Sequence, residues 1–374
     1  MPNGRESSFK PAMSMRMKAN LKQEGTDLEE IRLVKQAEMK EAIAASDRIF
    51  KRDSDMLSMG EAFPILFSET YSHSFGLFAD GKLLSFMGLV PAQIRIGRSR
   101  VNVFSIGSVF TQEEARNRGL AGRVLEHIKG YSKQAGAPLL LVSGDGPLYS
   151  RAGCRPFGEL VQYVWTPELA GRWNASGRAK TYQVSEARHQ DVLHLHRLAA
   201  QRYAAYEQSI WDFSLLLKTE ADVSNRKMKQ RVYAVRSNEK IVAFAVVALP
   251  ASASRSNPYV VEWAGEAEAL VALLSHVVNE FGLDRLDIFA SPHEQAMHAA
   301  LKAAESQNIR NQGTVLLVDP KQLFEQLKPY IEEKLPVVGK LLRVINTDDG
   351  AQWGYPGLPD VTFRYEQLIS LLFD

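Results

Sequence analysis

Cysteine is nearly absent from this chain of 374 residues: it occurs once, as Cys154. A single thiol cannot form a disulfide within the chain, and it leaves no cysteine-based metal site. We therefore interpret Cys154 as a small apolar core residue. An excess of one charge is lacking too, because 45 basic residues stand against 43 acidic ones, a formal net charge of +2. That balance disfavours nucleic acid as a partner and a polybasic membrane role.

Long hydrophobic runs are missing as well. No stretch approaches the roughly 18 apolar residues of a membrane-spanning helix, and the first 28 residues lack the apolar run of a signal peptide. We therefore expect a cytoplasmic protein without a membrane partner. Hydrophobic residues at 45% and charged residues at 24% are typical of a soluble globular chain. The length favours two or three domains.

Periodic patterns start after residues 1–28, a polar segment that we interpret as a disordered tail. Further on, we expect a strand (31–36), a helix (38–50), a hairpin (73–97) turning at Asp80 and Gly81, a strand (101–111), a helix to about Gln134, a buried strand (138–144) and a short helix (147–153). A similar order follows a linker at 173–179. It comprises a helix (189–206), a hairpin (232–250) turning at Ser237 and Asn238, a strand (258–265), a helix (268–282), a strand (285–292) and a helix (294–305).

The repeat is one of element order and not of sequence identity, and it hints at a duplication without proving one. We predict a mixed α/β (α+β) fold with two tandem domains, at residues 29–175 and 176–313. The last segment, residues 314–374, starts with a strand and a helix and is too short for a robust core of its own. We expect it to pack on the other two domains.

Residues 112–122, QEEARNRGLAG, bring arginines and a glycine to the point where a strand passes into a helix. The first amides of a helix lack partners and carry partial positive charge, so they favour an anion. Gly119 and Ala121 permit close approach, and Arg116, Arg118 and Arg123 add charge. The stretch is neither a P-loop nor a G-x-G-x-x-G motif. On physical grounds alone, a solvated basic loop, an ordinary turn and an anion cradle all remain open.

The stretch VFTQEEARNRGLAGRVLEH resembles motif A of the GNAT superfamily of N-acetyltransferases, [QR]-x-x-G-x-[GA], which cradles the pyrophosphate of acetyl-CoA. The continuation LVSGDGPLYSRAGCRPFGE resembles the next strand and helix of that superfamily, with Tyr149 and Gly153 in Y-x-x-x-G. A long hairpin before motif A, a second half without it and a short C-terminal segment resemble the Eis-type (enhanced intracellular survival) family. Those proteins are tandem GNATs with a sterol-carrier-like C-terminal domain. Cys154 and Arg155 depart from that family, which usually has an aromatic and a small residue there.

The resemblance implies an acetyl-CoA-dependent N-acetyltransferase that needs no metal. Its acceptor would be a primary amine, on a small molecule or a lysine side chain, attacking directly in a ternary complex. It also implies a homo-oligomer. The implied cofactor-binding residues are Val109, Phe110, Thr111, Arg116, Asn117, Arg118, Gly119, Leu120, Ala121, Gly122, Gly144 and Asp145.

Two catalytic residues follow from the same resemblance. Tyr149 would be the general acid that protonates the CoA thiolate; the alternative is an aromatic residue that only packs. Asp374 would supply its terminal carboxylate as the general base; the alternative is the end of an ordinary packed tail.

Other candidates are weaker. His189, His194 and His196 lie on one predicted helix without the spacing of a metal site. The second half has AGEAEALVALL where a motif A would lie, without an arginine. We expect it to bind no acetyl-CoA and to shape the acceptor cavity. The rival to an enzyme is a catalytically silent binding protein that keeps the GNAT scaffold.

Overall fold

The computed structural model of the chain describes residues 29–51, 56–251, 256–334, 343–347, 350–355 and 358–364. The predicted tail (1–28) and Asp374 lie outside the described residues. Within the described ranges, no helix is long and apolar enough to cross a bilayer.

The elements of the first half are β1 (Glu29–Leu33), α1 (Met39–Phe50), α2 (Met59–Ala62), β2 (Phe75–Ala79), β3 (Lys82–Ile96), β4 (Ser99–Thr111), α3 (Leu120–Gln134), β5 (Leu139–Val142), α4 (Pro147–Arg151), β6 (Glu159–Trp165) and α5 (Pro167–Ala175). The second half continues with β7 (Gln183–Glu186), α6 (Val192–Ala199), β8 (Ala204–Tyr206), α7 (Ile210–Leu216), α8 (Ala221–Asn225), β9 (Met228–Ser237), β10 (Lys240–Pro250), β11 (Tyr259–Gly265), α9 (Ala267–Phe281), β12 (Leu286–Ala290), α10 (Gln295–Leu301) and β13 (Glu305–Arg310). The last elements are β14 (Thr314–Leu317), α11 (Pro320–Lys334), β15 (Arg343–Thr347), β16 (Gly350–Tyr355) and β17 (Leu358–Arg364).

Two large mixed sheets organise these elements. The first has the order β1-β2-β3-β4-β5-β14, with β8 paired to β3, and the second has the order β13-β6-β12-β11-β10-β9-β7. In each sheet one neighbouring pair is parallel, β4 with β5 and β11 with β12, and a long helix connects its two strands. The strands β15, β16 and β17 form a separate antiparallel sheet. The predicted mixed α/β fold is thereby confirmed.

Helices pack on both faces of the first sheet, so apolar residues are buried on each face. On one face, the apolar side of α3 packs on β4 and β5, through residues such as Leu120, Val124 and Ile128. On the other face, α1 and α2 cover Phe86 and Phe110, whose rings stack with centroids 5.3 Å apart. The period of 3.6 residues in α3 therefore fixes its orientation, with its first turn at the end of β4.

Most predicted elements of the first half are confirmed, including the turn at Asp80 and Gly81, both of which have positive φ. The second half needs corrections. The predicted helix 189–206 ends at Ala199, and its last residues form β8, which pairs with β3. The second hairpin turns at Asn238 and Glu239, one residue later than predicted.

Two further boundaries were wrong. The predicted helix 294–305 ends at Leu301, and a polar edge strand, β13, follows it. The predicted linker begins inside α5, where Trp173 is buried.

Candidate functional site

The two parallel strands of the first sheet stay together only over part of their length. Residues 103–106 of β4 pair with β5, and the Ser143 N–H still donates to the Ile106 carbonyl at 3.2 Å. Residues 107–111 of β4 then continue without a strand partner on that side among the described residues. An opening therefore lies between the end of β4 and the end of β5.

A β-bulge marks the start of this opening. The register of β3 and β4 shifts between Phe86 and Gly88, opposite Ser108, which has a φ of +52°. A serine rarely takes this left-handed conformation, and bulges often redirect strands next to functional sites. The Ser108 hydroxyl oxygen is buried and makes no hydrogen bond to any described residue. The bulge lies two residues beyond Ile106, the last residue of β4 that pairs with β5.

The main-chain groups along the opening are accessible to a ligand. The Gln112 N–H donates to the Leu84 carbonyl at 2.8 Å, towards β3. Because main-chain groups alternate between the two edges of an extended strand, those of Val109 and Thr111 face the opening. Strand amides in this position can hydrogen-bond to an extended polar ligand.

The loop after β4 leads to the N-terminus of α3. Asn117 and Gly119 both have positive φ, +62° and +72°, and Gly119 is the N-cap of the helix. The Arg123 N–H is bonded within the helix, to the Gly119 carbonyl. The amides of the first turn precede that bond and point out of the helix. A Cβ atom built on Gly119 or Gly122 would meet nothing within 4 Å, so this helix end has room for an anion.

The three arginines of the loop and the first turn of α3 differ in their contacts. Arg116 reaches back to the Thr111 carbonyl, with Nε at 3.4 Å. Arg118 and Arg123 both bind one carboxylate, that of Glu29 at the start of β1. Both side chains are 49% exposed and remain accessible to a ligand. Sequence reasoning missed Glu29, because an acidic residue 89 positions before Arg118 carries no local signal.

Tyr149 lies on α4, just beyond the end of β5. Its ring packs against Gly144, where a Cβ atom would come within 3.1 Å of Tyr149 Cε2. Burial, and next the nearby Cys154 thiol, raises the pKa of Tyr149 to about 12. Tyr149 is therefore protonated at neutral pH and can donate a proton. Cys154 is buried below it and has a pKa raised by burial, as expected of a core residue.

The structure brings most of the predicted site residues together around the opening. Val109 and Tyr149 pack on the same core as Leu120, which anchors the first turn of α3. The side chain of Phe110 is buried on the opposite face of the sheet, so only its main chain could take part. Gly144 is fixed by its carbonyl, which accepts from the Thr314 hydroxyl at 2.9 Å, and Asp145 next to it is exposed. The remaining predicted residues, Asn117, Ala121 and Gly122, lie in the loop and the first turn.

The corresponding place in the second sheet is built differently. β11 and β12 pair only at Tyr259 and Asp287, but the Trp263 indole crosses to β12 and donates to the Phe289 carbonyl at 2.9 Å. The helix that follows has Glu266 as its N-cap and another glutamate in its first turn. Carboxylates stabilise a helix N-terminus themselves and repel a second anion. An anion is therefore disfavoured at this helix N-terminus, and the expectation that the second half binds no acetyl-CoA stays a prediction.

Of the three histidines on the predicted helix, His196 makes an ordinary contact, with its Nε2 at 2.8 Å from the Gln208 carbonyl. Across the described ranges, no three or more His, Cys, Asp and Glu side chains are grouped so as to hold a metal ion.

Comparisons with known proteins agree with this geometry. Residues 30–157 match the sequence model of the acetyltransferase (GNAT) domain. No curated protein matches the chain. Among solved structures, a conserved protein of unknown function from Enterococcus faecalis V583, a probable N-acyltransferase, superposes with a TM-score of 0.63 at 15% identity, over 80% of this chain and 75% of that one.

Two further structures share the fold. A GCN5-related N-acetyltransferase from Kribbella flavida has a TM-score of 0.59 at 15% identity, over 79% of this chain and 73% of that one. Eis1 from Mycobacterium abscessus has a TM-score of 0.55 at 14% identity, over 80% and 76%. The predicted class is thus supported at the level of the domain: residues 30–157 match the GNAT acetyltransferase domain, and the fold is shared with solved N-acetyltransferases.

Proposed function

We propose that the chain transfers an acetyl group from acetyl-CoA to a primary amine, by direct attack in a ternary complex. The observation that carries this proposal is the continuity between the free edge of β4 and the exposed first turn of α3. The edge suits a pantetheine arm along Val109, Phe110 and Thr111, and the turn suits a pyrophosphate. The match of residues 30–157 to the acetyltransferase (GNAT) domain supports the same cosubstrate.

The residues around the pyrophosphate follow from the loop geometry. The amides from Gly119 to Gly122 would bind the phosphate oxygens, with Asn117 shaping the turn by its positive φ. Arg116 and Arg118 would add charge at its side. Leu120 contributes by its buried side chain, which fixes the position of the first turn.

Tyr149 is our candidate for the general acid. The acceptor nitrogen attacks the thioester carbon, the carbon–sulfur bond breaks, and the departing thiolate takes the Tyr149 proton while the nitrogen loses one to a base. Amides on the open edge of β4 can stabilise the charge that develops on the carbonyl oxygen. We assign the base to the Asp374 carboxylate, which lies outside the described residues.

We place the acceptor in a cavity of about 220 Å³ between the two halves. Tyr206 lines it and interacts with Ser105, three positions before the bulge on β4. Asn311 lines the opposite wall, two residues from Gly313, which lies against the Val142 carbonyl of β5. Tyr206 and the segment from Asn311 to Gly313 thus connect the cavity to β4 and β5, although its lining residues come from neither strand. Glu262 also lines it, paired with Arg202 at 2.6 Å, so an acceptor amine on a small molecule or a lysine side chain would compete with that guanidinium for the carboxylate.

The same proposal includes a sterol-carrier-like role for the C-terminal segment, whose strands β15 to β17 form their own sheet. It also includes a cytoplasmic location and a homo-oligomeric assembly. Analytical ultracentrifugation would test the assembly.

The first test is binding followed by turnover. Acetyl-CoA should raise the melting temperature, and an amine panel should release free thiol with at least one acceptor. The Tyr149→Phe substitution removes the proposed acid, so it should lower kcat by about a hundredfold or more. It should leave the Kd for acetyl-CoA nearly unchanged. Tyr71→Phe is the matched control, because Tyr71 is 81% exposed, and it should keep full activity.

Each part of the proposal has its own way to fail. Full turnover of the Tyr149→Phe enzyme would remove Tyr149 from the chemistry. Acetyl-CoA binding without thiol release for any amine would favour the catalytically silent scaffold. No binding of acetyl-CoA would overturn the proposed function as a whole.

A further inference from the structure

Glu29 forms ion pairs with both Arg118 and Arg123, which flank the first turn of α3. Its carboxylate lies 2.6 Å from Arg118 Nη2 and also bonds to Arg123 Nη1. Two charge-assisted bonds to one carboxylate are the same interaction that a phosphate group would make with these side chains. A built-in anion therefore holds two cationic groups next to the proposed pyrophosphate position.

The backbone fixes Glu29 in this place. Side chains alternate between the two faces of a strand, and Ile31 of β1 packs on the core beneath α3. Glu29 lies two residues earlier and so faces the same helix. Glu30 faces the other side, where it bonds to Arg32, and that guanidinium lies 3.7 Å from the centre of the Phe78 ring. Only one of the two neighbouring glutamates can reach the arginines of the loop.

Glu29 is ionised at neutral pH, as the phosphate groups of CoA are. The hydrogen bond from Arg123 holds the pKa of this carboxylate below its usual value. At neutral pH the arginine pair is thus already neutralised in part before any ligand arrives, and an incoming phosphate has to displace a charged competitor.

We propose that Glu29 is an internal competitor for the phosphate groups of the cofactor: its carboxylate holds Arg118 and Arg123 until a phosphate group of CoA replaces it. This inference rests on the proposed function, and it makes Glu29 a residue that sets cofactor affinity without contacting the reacting atoms. The same side chain would return to the arginines when product CoA leaves, and so would favour its release.

The test is the Kd for CoA, measured by titration calorimetry on the full chain. Glu29→Gln removes the competing charge and should tighten CoA binding by about threefold to tenfold. Glu30→Gln is the matched control, because it makes the same charge change one residue away without touching the arginine pair. It should leave the Kd close to that of the wild type. Thermal melts of both variants verify that each one folds.

A double-mutant cycle separates the contact from long-range charge. In a chain with Arg118→Gln and Arg123→Gln, Glu29→Gln should no longer tighten CoA binding. Titration with dephospho-CoA, which lacks the 3′-phosphate, shows which phosphate group binds the two arginines. If Glu29→Gln no longer tightens binding of this ligand, the arginines bind the 3′-phosphate. If it tightens binding as much as for CoA, they bind the diphosphate.

The outcomes that contradict the inference are distinct. An unchanged Kd in Glu29→Gln, or an equal gain in Glu30→Gln, would overturn the competition and leave the proposed function standing. A wild-type chain that binds no CoA would overturn both.

Discussion

The first turn of α3 depends on one residue with a left-handed conformation. Gly119 has a φ of +72° and open space where a side chain would be, so only its backbone demands glycine. Gly130 lies in the same helix with equally open surroundings and without a positive φ. Substitutions at Gly119 and Gly130 therefore distinguish the effect of a left-handed backbone from the effect of a missing side chain.

We expect opposite results from the same substitution at these two positions. Gly119→Ala should cost about 1 kcal/mol of unfolding free energy, and it should weaken acetyl-CoA binding because the first amides lose their alignment. Gly130→Ala should stabilise the chain by up to about 1 kcal/mol, because alanine favours a helix, and should leave binding unchanged. Urea unfolding and calorimetry measure both quantities. Equal effects on binding would show that the left-handed turn does not align the site.

Local signals explain which site residues could be predicted. The glycine, the arginines and the small residues of the loop are contiguous, so their spacing carries the pattern on its own. Glu29 was missed, because its partners lie 89 and 94 positions further along the chain. Ser108 was missed because nothing in a β-rich run such as FSIGSVF marks the residue that takes a positive φ.

At the scale of the element, β4 combines regular pairing with a strained bulge. The bulge costs free energy in two ways, through the φ of Ser108 and through a buried hydroxyl without a partner among the described residues. Ser85 on β3 is the opposite case, since its hydroxyl donates to the Phe110 carbonyl at 3.0 Å. Strain kept at one point of a core strand is typical of a functional constraint.

The same change at these two serines should therefore move stability in opposite directions. Ser108→Gly should raise the unfolding free energy by about 1 kcal/mol, because the relief of the positive φ and of the buried hydroxyl outweighs the added chain entropy of glycine. Ser85→Gly should lower it by about 1 kcal/mol or more, through the lost hydrogen bond and the added chain entropy. Chemical denaturation measures both. A destabilised Ser108→Gly chain would mean that the serine side chain supports the bulge through contacts that outweigh the strain.

Elements were predicted well where their periodicity was local and poorly where distant pairing decided the structure. The apolar face of α3 and the turn at Asp80 and Gly81 are signals of this local kind. In contrast, the segment Ala204–Tyr206 continues a helical pattern in the sequence, yet it forms a strand because it pairs with β3. The polar sequence of β13 has no strand signal, and it becomes a strand because β6 offers an unpaired edge.

At the scale of the whole molecule, the two halves exchange strands. β6 follows α4 in the first half but joins the second sheet, between β12 and β13. β14 follows the second half but returns to the first sheet, beside β5. The sequence shows a repeated order of elements and no sign of this exchange, because both strands are short and nothing in their residues specifies which sheet they join. Neither sheet is complete without a strand from the other half.

This exchange predicts a single cooperative unfolding transition that responds to a change at the crossover itself. Gly313 precedes β14 with a φ of +85°, and a Cβ atom there would lie 2.2 Å from the Val142 carbonyl oxygen of β5. Gly177 also has a positive φ, +76°, but open space around it. Gly313→Ala should therefore cost more than about 3 kcal/mol, because β14 must move off β5, whereas Gly177→Ala should cost about 1 kcal/mol.

Calorimetry and denaturant titration followed by two probes would measure these losses. The unfolding midpoints reported by both probes should shift together in the Gly313→Ala chain. The reason is that the first sheet cannot lose β14 without loosening the connection through β13 to the second sheet. Two separated transitions, of which only one moves, would show that each half keeps its stability alone. The exchanged strands would then connect two independent folds, and the cavity between the halves, where we place the acceptor, could open without unfolding either half.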